Sequence, residues 1–94
     1  MAKLFSRAAT FDHIQAFLEN THGQITIGEI PPIRRAALAA QGKNPRVSLV
    51  ARPNETVPEL LQRLDAALAD FIASGTVTDE VLPEIKRRRD APEK

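Results

Sequence analysis

The chain has 94 residues, 13 Lys or Arg against 12 Asp or Glu, and no cysteine. That length holds one domain, and the missing thiols exclude a disulfide framework, a thiolate metal site and a cysteine nucleophile. No apolar run approaches the ~20 residues of a membrane span, and residues 1–10 carry charge without the apolar core of a secretory signal; the expectation is a soluble, cytoplasmic protein.

Thr10 to Asn20 reads as a first helix. Phe11, Ile14, Phe17 and Leu18 share a face, Asp12 suits the positive end of the helix dipole, and Asn20 to Gly23 supply the stop. Three of the four phenylalanines lie within residues 5–17. Their expected role is packing against the central helix or the sheet, with an aromatic platform for stacked bases as the alternative.

Gln24 to Ile30 alternates Ile25 and Ile27 with Thr26 and Gly28, which predicts a strand. Pro31-Pro32 removes two successive backbone donors, so the strand ends there or lies at an edge. Ile33 to Gln41 (IRRAALAAQ) favours helix by propensity. Its neighbour argues otherwise: Arg46 to Arg52 (RVSLVAR) is strand-like, and Gly42-Lys43-Asn44-Pro45 is turn chemistry. A hairpin pairing 34–41 with 46–52 is therefore expected.

Thr56 to Gly75 is the strongest signal in the chain. Val57, Leu60, Leu61, Leu64, Leu68, Phe71 and Ile72 form a stripe at the 3.6-residue period. Thr56 and Glu59 make a capping box, Pro58 sits where a missing N–H costs nothing, and Gly75 can take the left-handed conformation that ends a helix. Thr76 to Ile85 offers Val77, Val81, Leu82 and Ile85 for docking, with Pro83 limiting it to a short helical turn. Lys86 to Lys94 reads as a basic disordered tail.

The expected fold is thus α+β: a small two-layer domain over residues 1–85, in α-β-β-β-α order, with a three-stranded antiparallel sheet covered by one long helix.

Catalytic groups are scarce. His13 is adjacent to Asp12, so on a helix the two diverge; no nucleophile elbow surrounds Ser6, Ser48 or Ser74. His13 and His22 with Asp12 or Glu19 have no recognised metal spacing, and GxxxxGK[ST] is absent. The expectation is no enzyme, no cofactor, no metal and no small-molecule substrate.

Charge is unevenly placed. Residues 30–54 carry Arg34, Arg35, Lys43, Arg46 and Arg52 with no acid, whereas residues 55–85 carry seven acids against Arg63. Those five cations are the candidate partner-binding residues, for an acidic protein face or for nucleic acid. Ala66, Ala69, Ala73 and Ser74 on the outer face of the long helix permit close approach of a second helix, which suggests a homodimer.

The α-β-β-β-α order resembles that of double-stranded-RNA-binding domains, although their lysine-rich helix start is replaced here by Thr56-Val57-Pro58-Glu59. A hairpin followed by Pro53-Asn54-Glu55-Thr56 and a helix containing Ala66-Ala67-Leu68 and Phe71-Ile72 is similar, over about residues 35–75, to HicB-type antitoxins. That resemblance implies a partial ribonuclease-H-like sheet that blocks an mRNA-cleaving toxin. The function expected from all of this is that of a stand-alone, non-enzymatic bacterial interaction protein: an inhibitor, antitoxin-like or accessory regulator. The alternative is a nucleic-acid-binding protein using its basic 34–52 segment.

Overall fold

The structure, a computed structural model, describes residues 11–90. In order these form α1 (Asp12–Thr21), β1 (Gln24–Ile30), β2 (Ile33–Gln41), β3 (Asn44–Val50), α2 (Val57–Ser74), β4 (Thr78–Asp79) and α3 (Val81–Asp90). Phe5, Ser6, Thr10 and the last four residues of the expected tail lie outside the described residues.

Ile33–Gln41 is a strand despite its alanines, because burial between two partners overrides intrinsic propensity. It is paired antiparallel with β1 on one side and β3 on the other. Its alanines suit that place: Ala37 and Ala39 lie under the helices without standing them off from the sheet. Gly42, at φ 60, opens a two-residue turn to β3, and a cis Pro31–Pro32 peptide lies in the turn before β2.

The expectation of a three-stranded antiparallel sheet needs correction. Among the described residues the sheet has four strands in the order β1-β2-β3-β4, and β4 runs parallel to β3. The chain leaves β3, crosses through α2 and returns alongside the same strand. β4 has two residues, too few for a periodicity to register in the sequence. It is secured by Glu80, whose amide donates to Ser48 O at 2.7 Å and whose carboxylate accepts from the Val50 amide at 3.0 Å.

Residues 81–90 also depart from expectation, since they form a ten-residue helix rather than a short turn. Pro83 lies within its first turn, where it interrupts no bond. The Asp79 carboxylate caps it by accepting from the Val81 and Leu82 amides. Lys86 to Arg89, expected in the tail, are therefore helical.

The core lies between one sheet face and helices α1 and α2. Phe17, Ala37, Ala39, Val47, Leu60, Leu64 and Leu68 are fully covered or nearly so. The α2 ends are as the sequence predicts, with both arms of the Thr56–Glu59 box formed and Gly75 at φ 77. Leu61 and Phe71 of the stripe are half-buried against the core. Val57 and Ile72 are instead exposed, each at 47%. Val57 is the first residue of the helix, with no turn before it. Ile72 lies about 120° around the axis from Leu60, at ~100° per residue, on the flank of the stripe.

Candidate functional site

The antiparallel register decides which of the candidate cations meet. Ala36 pairs with Val50, and the Ala51 amide donates to Arg35 O. Arg34 and Arg35, entering β2, are thereby brought to Arg52, leaving β3. Lys43 and Arg46 fall at the opposite end of the same hairpin. The five residues singled out from sequence are thus two groups at two ends of a sheet.

The first group lines a concavity of about 310 Å³. Arg34, Arg35 and Arg52 contribute to its wall together with Arg88 of α3, and no carboxylate among the described residues lines it. Its remaining wall comes from Ile33, Val50, Ala51, Pro53 and Asn54. Arg88 was assigned to a tail by sequence reasoning; the signal that could have found it is the Asp79 cap, which makes residues 81–90 helical. Arg88 is held at the mouth of β2 by donating to Pro32 O at 3.1 Å and to Glu84 at 2.8 Å.

The loop bearing Arg52 is a tight turn. The Glu55 amide donates to Arg52 O, with Pro53 and Asn54 at the central positions and Asn54 at φ 67. That is type II turn chemistry, in which asparagine tolerates the left-handed position better than most residues. Behind it lies a network that periodicity does not reveal. Glu55, 9% exposed, accepts from the Arg52 amide at 2.9 Å and from Arg63 Nε at 2.8 Å. Arg63 also donates to Val50 O and to Glu80.

One guanidinium therefore ties α2 to the loop, to β3 and to the β4–α3 junction. Hydrogen bonding from Arg63 is the main reason that the Glu55 carboxyl is held down at about 2, against the opposing effect of burial. Arg63 is correspondingly raised, chiefly by its hydrogen bond to Glu55.

Not all four arginines are equally engaged. Arg35 donates to Glu55 O and Arg88 to the two acceptors above. Among the described residues the side chains of Arg34 and Arg52 make no hydrogen bond and no ion pair.

Arg46 does not share a face with Arg52, as uniform alternation along 46–52 would require. The register slips between Ala39–Val47 and Ala40–Pro45, leaving Arg46 as the extra residue of a bulge. The bulge turns it toward α2, where its guanidinium lies 5.4 Å from the Phe71 ring centroid and donates to Gln41 at 2.7 Å. Phe71 in turn meets Phe17 edge-on at 6.3 Å. The Phe17 and Phe71 rings are therefore packing groups.

His13 finds a partner in Asp65, not in its neighbour Asp12. Nδ1 lies 2.9 Å from one carboxylate oxygen, while the other accepts from the His13 and Ile14 amides. Asp65 is a cap supplied to α1 by another helix, since α1 has no side-chain cap of its own. Ser48 and Ser74 make no hydrogen bond to this pair, and among the described residues no group of three or more His, Asp or Glu is arranged to hold a metal ion. No helix among the described residues is long and apolar enough to cross a membrane.

No protein-family model, curated protein or solved structure matches this chain. Its functional reading rests on its own residues.

Proposed function

We propose that this chain is a non-enzymatic interaction protein that docks onto an acidic face of a partner protein through the arginine-lined end of its sheet. One observation carries the reading: Arg34 and Arg52, whose side chains make no hydrogen bond or ion pair among the described residues, line the same concavity as Arg35 and Arg88. Guanidinium is weakly hydrated and presents a fork of donors, which suits it to carboxylates at an interface.

The charge pattern around it supports an external partner. Six of the seven acids between residues 55 and 85 already accept hydrogen bonds from this chain: Glu55, Glu59, Asp65, Asp79, Glu80 and Glu84. Asp70 is the remaining one. The acidic segment is therefore largely engaged as caps and network members, while two of the four arginines at the basic end, Arg34 and Arg52, make no hydrogen bond or ion pair through their side chains among the described residues. That imbalance disfavours a dimer formed by pairing the two segments.

The test is affinity capture from the native host, with nuclease treatment, using the parent chain beside Arg34→Glu and Arg52→Glu. The expected result is a captured protein that survives nuclease and is lost with either variant. Capture unaffected by both variants would remove this surface from consideration. A second reading, nucleic-acid binding, draws on Lys86, Arg87 and Arg89, which flank Arg88 in the α3 sequence. It predicts capture that nuclease abolishes.

A further inference from the structure

We infer that the concavity is a recognition pocket for an acidic linear segment of the partner, with carboxylates on Arg34 and Arg52 and an aliphatic side chain between them. This rests on the docking reading above and specifies its mode.

The lining is the first argument. The pocket has a basic part and an apolar part: Ile33, Val50, Ala51 and Pro53 offer hydrocarbon beside the guanidinium groups. A carboxylate-rich segment with one aliphatic residue complements both, whereas an isolated anion would leave the apolar wall uncovered. At about 310 Å³ the space is at the lower end of ligand pockets, a size for a few side chains.

The absence of an aromatic wall is the second. No phenylalanine among the described residues lines the concavity, and Phe17 and Phe71 are engaged with each other in the core. Unstacked bases, which bind largely through aromatic or planar stacking, find no aromatic ring there. Nor is there a single basic track along the hairpin, since Lys43 and Arg46 sit at its far end and Arg46 is turned onto Phe71. A second copy of this chain is a poor source of the acids, because six of the seven in its acidic segment are already hydrogen-bonded.

The loop is also preset. Arg52 follows β3 directly, and its amide is fixed by Glu55, which is fixed by Arg63. Little ordering of the loop backbone is left to occur on binding, a condition that favours affinity for a short peptide.

The experiment uses the full chain and fluorescence anisotropy. The probe is a labelled synthetic peptide carrying glutamates on both sides of a leucine. Beside it run a twin with glutamine for glutamate, a twin with alanine for leucine, and single-stranded and duplex oligonucleotides of similar length. Binding of the parent peptide is expected, with loss on the glutamine twin and weakening on the alanine twin. Arg34→Ala and Arg52→Ala should each weaken binding about tenfold or more, as expected when a charge-assisted hydrogen bond is removed. Lys43→Ala should leave it unchanged. Thermal midpoints of the variants, measured alongside, separate lost binding from lost folding.

Equal binding of the glutamine twin, or a parent affinity indifferent to Arg34 and Arg52, would overturn the inference. So would oligonucleotide binding that depends on those arginines while the peptide stays unbound. If the peptide fails but captured protein is still lost with Arg52→Glu, the docking reading stands and only the linear-segment mode falls.

Discussion

Gly23 shows how much can depend on one missing methyl group. It stands between α1 and β1, and a Cβ built on it would lie under 3.0 Å from each of Cε2, Cδ2 and Cζ of the Phe17 ring. Phe17 is fully buried and packs edge-on against Phe71, so the ring has little room to yield. Gly23→Ala is therefore expected to destabilise the fold by ~1–3 kcal/mol, the usual range for overpacking. Chemical denaturation measures it; a change within ~0.5 kcal/mol, typical of surface substitutions, would mean that the ring swings aside freely. From sequence Gly23 was readable as part of a helix stop. Its contact with Phe17 was not, because steric exclusion depends on the path of the chain after the helix and not on local pattern. Asp65 teaches the same lesson: it looks like an ordinary helix-surface acid, yet it caps α1 across 51 residues of chain.

Elements with strong periodicity or end chemistry were legible, and those held by a few specific bonds were not. The long helix, its box at Thr56 and its end at Gly75 follow from local residues. The β2–β3 hairpin was readable from its turn and partner strand. The bulge at Arg46, the two-residue β4 and the full length of α3 were not, since each depends on contacts brought in by tertiary structure. Glu55, Arg63 and Glu80 are what joins these elements, and their linkage has a pH signature. The Glu55 carboxyl lies at about 2 in the folded chain against an ordinary 4.5, so the unfolded chain binds its proton more readily. The stability that this carboxylate contributes is fully present above about 4.5 and is lost as pH falls toward 2. Glu55→Gln should be less stable at neutral pH by ~1–3 kcal/mol, the range for leaving a hydrogen-bonded charge short of its partner. The parent and variant curves should converge as pH approaches 2. Parallel curves in urea denaturation across that window would show that Glu55 is not the group responsible.

At the scale of the whole molecule, a net charge of +1 conceals two basic ends of the β2–β3 hairpin with different roles. At one end the side chains of Arg34 and Arg52 make no hydrogen bond or ion pair among the described residues, though the charge of Arg52 helps Arg63 to hold the Glu55 carboxyl down. At the other, Arg46 is half-buried over Phe71 and bonded to Gln41. Two opposite phenotypes follow. Arg52→Ala should weaken docking and leave the denaturation midpoint in place. Arg46→Ala should leave docking intact and lower stability by ~0.5–2 kcal/mol, as a partly desolvated cation–π contact and its packing are lost.

Salt then identifies the partner's chemistry. If Arg34, Arg35, Arg52 and Arg88 all met phosphates, the logarithm of affinity would fall with that of salt concentration at a slope of about −3 to −4, at ~0.9 per contact. An acidic protein segment seated in the pocket should give a shallower dependence with large losses on single arginine truncations. The measurement is a salt titration of parent, Arg46→Ala and Arg52→Ala against both the captured protein and duplex DNA. Equal loss of binding in the two variants would sink the division between the ends, because it would place Arg46, at the far end of the hairpin and turned toward α2, in the same interface as Arg52.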